Sequence, residues 1–150
     1  MRDRITEALK DAMRAKDQVR LSTLRLMSAA LKDQDIAKRS NGGSEEISDT
    51  EVMSLLAKMV KQREDSAKAY EEAGRMELAE QERAEQCVIR EFLPKPMSDD
   101  EVNAAIAKAI EDTGASTIRD MGKVMGALKA AHAGRMDFGK AGGQVKAALG

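Results

Sequence analysis

The sequence predicts an all-α protein in which an N-terminal helical domain of about four helices is followed by a small three-helix C-terminal domain. Three observations predict it. Apolar residues recur at helical spacing along nearly the whole chain. Hydrophobic residues make up 42% of the chain but aromatics only 2%, so its cores must be built from Leu, Ile, Val, Met and Ala. The only two prolines, Pro94 and Pro96, stand almost side by side where they break any helix. They divide the chain into residues 1–93, a linker at 94–97, and residues 98–150.

Each element has its own signal. Ile5, Leu9, Ala12 and Met13 form a first apolar stripe. Leu21, Leu24, Met27 and Leu31 form a second, with Val19, Thr23, Leu26 and Ala30 on an adjacent row, which makes this helix apolar over a wide arc and predicts a central position. The polar run Lys38 to Ser44 reads as a loop. Ser48 and Glu51 then have the spacing of a capping box, in which a serine hydroxyl and a glutamate carboxylate satisfy the free amides of a first helical turn. The helix they open carries Val52, Leu55, Leu56, Met59, Val60, Arg63, Ala67 and Tyr70 on one row and stops near Gly74. Another follows, with Leu78, Val88, Ile89 and Phe92 facing inward.

Beyond the prolines, Ser98 and Glu101 form a second capping box for a short helix bearing Val102, Ala105, Ile106, Ala109 and Ile110, closed by Thr113-Gly114. Ser116 or Thr117 is the expected cap of the next helix, whose buried row is Met121, Val124, Met125 and Leu128. Asp137 is the expected cap of the last, which holds Val145 and Leu149.

Several function classes are disfavoured. No stretch approaches the length of a membrane span, and the charged start Met1 to Glu7 leads into no apolar signal segment, so a cytoplasmic protein is expected. The single cysteine, Cys87, leaves no internal disulfide and reads as a small buried or half-buried hydrophobe. The single histidine, His132, reads as a helix C-terminal residue, where its charged form suits the dipole. Cys87 and His132 fall in different domains, so no Cys/His pair is expected, nor a metal site or cofactor. The ten methionines fall largely in helical apolar rows and read as core filling.

Net charge is −1, but it is segregated along the chain. Residues 1–39 carry ten Lys/Arg against six Asp/Glu, residues 40–113 nine against eighteen, and residues 114–150 six against two. A basic end behind an acidic middle suits an anionic partner; equally, the basic ends would neutralise the middle within the fold.

The most informative segment is Asp120-Met121-Gly122-Lys123-Val124-Met125-Gly126-Ala127-Leu128-Lys129. Each glycine inside a helix costs roughly 1 kcal/mol relative to alanine, so something must approach this backbone closely. Two readings are open: a neighbouring helix crossing at Gly122 and Gly126, or a phosphate backbone. The second draws on Arg119, Lys123 and Lys129 beside the glycines, then on Gly134-Arg135, Lys140 and Lys146, with Gly139, Gly142 and Gly143 as further exposed backbone. The candidate RNA-binding residues are therefore Arg119, Gly122, Lys123, Gly126, Lys129, Arg135 and Lys140.

The segments Leu24 to Lys32, Lys61-Gln62-Arg63, Ser66, Tyr70, Ala73-Gly74-Arg75, Leu78-Ala79, Glu82, Glu85 and Phe92-Leu93-Pro94 resemble the YqeY family. Thr113-Gly114-Ala115-Ser116 and Asp120 to Leu128 resemble the same family and, more loosely, are similar to the C-terminal tail domain of the B subunit of glutamyl/aspartyl-tRNA amidotransferase. The resemblance implies an all-helical protein whose tail contacts tRNA, with tRNA synthetase or amidotransferase components as further partners. Its family label is a glutamine-dependent carbon–nitrogen ligase, yet nothing here resembles the amidotransferase's catalytic core. Where family members read Gly-Arg-Ala-Asp-Gly-Lys, this chain has one residue more, Gly134-Arg135-Met136-Asp137-Phe138-Gly139-Lys140, which leaves the phase of the last helix open. The resulting expectation is a non-catalytic tRNA-binding or amidotransferase-associated protein. The alternatives are the ligase and a helical adaptor acting through Glu71, Glu72, Glu77, Glu80 and Glu82.

Overall fold

A computed structural model of the chain describes residues 1–43 and 46–150. Among the described residues it is helical throughout, with no strand. The helices are α1 (Arg2–Ala15), α2 (Gln18–Ser40), α3 (Asp49–Glu72), α4 (Met76–Arg90), α5 (Asp99–Thr113), α6 (Met121–His132) and α7 (Phe138–Leu149), with a single 3-10 turn at Ile118–Asp120. The chain divides into two compact units, Met1–Pro94 and Lys95–Gly150.

The first unit holds α1 to α4 around an aliphatic core in which Ile5, Leu24, Met27, Val52, Leu56 and Ile89 are almost wholly buried. The wide apolar arc of α2 is only half used. Leu21, Leu24, Met27, Leu31 and Thr23 are buried, but Val19 and Leu26 are exposed. Met13 of the first stripe is also exposed, in the last turn of α1, which ends at Ala15; Lys16 then takes a left-handed conformation (φ 56°) and turns the chain into α2. Lys38 to Ser40, expected in a loop, complete the last turn of α2, where two basic residues suit the helix C-terminus. The turn begins at Asn41, and Ser44 of that expected loop lies outside the described residues.

Among the described residues, Thr23, Asp35 and Gln86 are the buried polar ones, and each is hydrogen-bonded. Asp35 accepts from the Arg2 guanidinium at 2.6 Å and from the Ile47 amide at 2.9 Å. Those two bonds, the Ile47 amide first, hold its carboxyl below the ordinary range. Ser48 and Glu51 form the expected capping box.

The pairing of α3 with α4 is the most extensive in the unit. Arg63 faces Glu85 at 3.3 Å with both side chains largely buried, and donates to the Met59 carbonyl. Arg83 joins Glu64 and Glu71 at 3.2 and 2.7 Å. Gln86 is buried and donates to the Val60 carbonyl and to Glu64. Its neighbour Cys87 is exposed, contrary to expectation. A cysteine ranks above a glutamine for burial by type, but here helix phase decides, since the inward position already belongs to a glutamine whose amide is satisfied.

The second unit packs α5, α6 and α7 mutually around Ile106, Ala109, Val124, Leu128, Ala141 and Val145. Ser98 and Glu101 cap α5, and Gly114 closes it in the left-handed conformation (φ 66°). Asp137 accepts from the Gly139 and Lys140 amides, which settles the phase of α7: Ala141, Gly142 and Val145 face inward.

Glu82, half-buried on α4, has its carboxyl pushed up, first by burial and then by the charge of Glu85, against the opposing pull of Arg63. Its ionised form is thus penalised in the fold at neutral pH, and the penalty vanishes once it protonates on acidification. Glu82→Gln is therefore expected to raise Tm at pH 7, with the gain shrinking as pH falls into the ordinary carboxylate range. Thermal melts from pH 7 to pH 4 check this; a gain independent of pH would contradict it.

Candidate nucleic-acid interface

In α6, Val124 and Leu128 are 0% and 1% exposed, and Met121 and Met125 pack against the same core. Turning at about 100° per residue, the opposite arc carries, in angular order, Lys129, Gly122, Gly126, Ala130 and Lys123, and all five are exposed. A lysine thus stands on either side of a bare backbone stripe. A methyl group added at Gly122 or Gly126 would meet nothing within 4 Å. Within the unit, the close helix crossing offered by the sequence therefore does not occur at these glycines.

Gly142 of α7 is packed more closely: an added methyl there would lie 3.5 Å from the Met121 methyl and 3.9 Å from that of Met125, in ordinary van der Waals contact. Gly142 is buried, not exposed backbone as expected, because the Asp137 cap turns it toward α6. Gly139 and Gly143 are exposed.

The 3-10 turn carries Arg119, so this residue precedes α6 and does not continue its register. Asp120 closes the turn: its carboxylate accepts from the Ser116 amide at 3.0 Å and the Thr117 amide at 3.3 Å. These bonds, with a smaller contribution from the Lys123 charge, hold its carboxyl below the ordinary range. Arg119, Lys123 and Lys129 are exposed and make no ion pair among the described residues.

Arg135 is placed differently. Half-buried in the turn between α6 and α7, it donates to the Lys95 carbonyl at 3.0 Å and lies 3.7 Å from Glu101, while its own carbonyl accepts from the Met97 amide. It ties the start of the unit to its last turn. Lys140 stands 4.0 Å from Asp99 with both side chains mostly exposed, an arrangement that contributes little.

The unit is polarised more than basic. Residues 95–150 carry eight Lys/Arg and seven Asp/Glu. Helix α5 exposes five acidic residues, Asp99, Asp100, Glu101, Glu111 and Asp112, against one lysine, Lys108, whereas the only charges on the outer faces of α6 and α7 are lysines. Lys146 of α7, which the sequence offered among the lysines of the phosphate reading but not in the final set, belongs to this cationic surface. A repeat inside the sequence singles it out: residues 138–149 match residues 121–132 at six positions, seventeen residues later.

Other candidates lack a comparable setting. Cys87 lies in the first unit and His132 in the second, at the end of α6, with its Nδ1 buried and without a hydrogen-bond partner. Of the acidic residues proposed for an adaptor, Glu71 is engaged by Arg83 and Glu82 is half-buried, leaving Glu72, Glu77 and Glu80 on the surface. Among the described residues no group of His, Cys, Asp and Glu is placed to hold a metal, and no helix is long and apolar enough to cross a membrane.

Fold and surface together define a small all-helical protein whose C-terminal unit presents a lysine-flanked glycine face. The chain belongs to the Yqey-like protein family, which it matches over residues 2–149. It is similar to altered inheritance of mitochondria protein 41, mitochondrial, of Clavispora lusitaniae, with 35% identity over 94 residues, 62% of this chain and 52% of the relative. The chain thus spans about half the length of the curated relative it matches.

Because both α6 glycines face open space, alanine there removes only a helix-propensity penalty. Gly122→Ala and Gly126→Ala are each expected to stabilise the protein by up to about 1 kcal/mol, measured by denaturant unfolding. Destabilisation by either would mean that the face is packed against something.

Proposed function

We propose that this protein binds tRNA through the exposed face of α6, as a non-catalytic RNA-binding or amidotransferase-associated protein. The observation that carries the reading is the combination at Gly122 and Gly126: two helix-weakening residues that no intramolecular contact requires, set between Lys123 and Lys129. Glycine lets a phosphate backbone lie against the helix, and each lysine contributes by displacing counterions without reading bases. Arg119 adds a third cation just ahead of the helix. The resemblance of Asp120 to Leu128 to the tail domain of the amidotransferase B subunit is what favours tRNA as the RNA, and amidotransferase or synthetase components as the assembly it would join, in this proposal. In this reading Arg135 plays a smaller part, because it is half-buried and held by the Lys95 carbonyl and Glu101.

Fluorescence anisotropy with bulk tRNA tests the proposal. Affinity is expected to fall steeply between about 50 and 200 mM salt, and Lys123→Glu with Lys129→Glu is expected to abolish binding at the upper end of that range. Absent or salt-insensitive binding by the wild-type protein would overturn it. Gly126→Leu, which adds bulk without changing charge, is expected to weaken binding while leaving the fold intact.

The ligase reading makes its own demand, amide transfer from glutamine by the purified protein alone. Ammonia release and product formation with aminoacylated tRNA are expected to stay at background, and turnover by the isolated chain would reinstate that reading.

A further inference from the structure

Helices α6 and α7 are two copies of one surface. Aligned seventeen residues apart, Met121–His132 and Phe138–Leu149 agree at six positions: Gly122 with Gly139, Lys123 with Lys140, Gly126 with Gly143, Lys129 with Lys146, Ala130 with Ala147 and Ala131 with Ala148. An aspartate precedes each helix. Both residues of every identical pair are exposed. Where the helices face the core the residues differ, with Val124 against Ala141, Met125 against Gly142 and Leu128 against Val145.

Packing would produce the opposite pattern. A core constrains volume and shape, so two helices resembling each other for packing reasons would agree inside and drift outside. Here the agreement lies wholly outside, on residues that contribute charge and low relief and make few contacts of their own. A methyl added at Gly143 meets nothing within 4 Å, as at Gly122 and Gly126. On the outer arc of α7, Lys146 and Lys140 stand on either side of Gly143, repeating the arrangement of Lys129 and Lys123 about Gly126. The Lys140 ammonium stands 4.0 Å from the solvated Asp99, and Lys146 makes no ion pair among the described residues.

Resting on the RNA-binding reading above, we infer that the C-terminal unit engages two phosphate backbones at once, one on the Lys123/Lys129 face of α6 and a second on the Lys140/Lys146 face of α7. Since each of the three helices packs on both others, the outer faces of α6 and α7 diverge, and one strand cannot lie along both. The fitting partner is a folded or double-helical RNA that brings two backbones close together. The acidic outer face of α5 forms the third side and is turned away from RNA by repulsion. A lipid surface fits poorly, because neither cationic face carries an exposed Leu, Phe or Trp to bury among acyl chains.

The test compares three variants of the full chain, K123E/K129E, K140E/K146E and the quadruple, by anisotropy against a labelled RNA hairpin and a single strand of equal length, with circular dichroism as the folding control. Each double variant is expected to bind the hairpin at least about tenfold more weakly near 0.1 M salt and to lower the slope of log affinity against log salt by roughly two. The quadruple variant is expected not to bind, and the hairpin to be preferred over the single strand. Lys140→Arg with Lys146→Arg, which keeps both charges, is expected to bind as the wild type does. If K140E/K146E leaves affinity and slope unchanged while K123E/K129E does not, the second face is refuted and the α6 reading survives. If the wild type binds no RNA, both fall. Equal competition by polyglutamate would also overturn the phosphate assignment. Should K140E/K146E fail to fold, Lys140→Gln with Lys146→Gln measures the same slope.

Discussion

The burial of Val124 and Leu128 is the constraint on which the C-terminal unit's surface depends. These two residues share a core with Ile106, Ala141 and Val145, and they fix the rotation of α6 about its own axis. Once that angle is set, nothing else on the helix is free. Gly122, Gly126 and Ala130 must face outward, with Lys123 and Lys129 on their flanks. On α7, Ala141 and Val145 play the same part, and the Asp137 cap sets where its turns begin. A small aliphatic core thus determines the position of the lysines on the outer faces of α6 and α7.

That core is modest. With only 2% aromatic residues, each unit has a single phenylalanine at its core, Phe92 buried in the first and Phe138 half-buried in the second, and aliphatics and methionine do the rest of the filling. The first unit adds bonded polar groups at its seams. Asp35 joins α1, α2 and the segment before α3, while Gln86, Arg63 and Glu85 join α3 to α4. A unit of 56 residues, Lys95–Gly150, has less to spare. Retaining unpacked glycines in two of its three helices is therefore costly in proportion, which is why a purpose outside the fold explains them better than one inside it. Gly142, by contrast, is buried within the unit against the Met121 and Met125 methyls.

Residue chemistry and residue placement divide the candidate site. Lysine, arginine and glycine were legible as a possible phosphate surface from type and spacing alone. Their availability was not. Arg135 and Lys123 look equivalent in a sequence, yet Arg135 has the Lys95 carbonyl and Glu101 beside it while Lys123 stands in solvent. The relevant partners are 40 and 34 positions away along the chain, beyond the reach of any local pattern. Likewise the tail looked uniformly basic from residue 114 onward, and becomes polarised only when α5 is counted into the same folded unit.

By itself, the sequence determined what depends on near neighbours. Both capping boxes, at Ser48 with Glu51 and Ser98 with Glu101, form as their spacing requires, since a hydroxyl and a carboxylate three residues apart reach each other's amides in any helix start. The apolar rows of α5 and α6, the stop at Gly114 and the all-helical class follow from periodicity over a few turns. Tertiary structure decided the rest. It exposed Met13 and Cys87, buried Gly142 and Gln86, extended α2 through Ser40, and replaced the first turn expected of α6 with a 3-10 turn. The exposure or burial of those four residues depends on which side of a helix meets a neighbour. A row of side chains one turn apart gives a helix its two faces, but only contact with residues far away in the chain determines where the buried arc ends and what remains for a partner to touch.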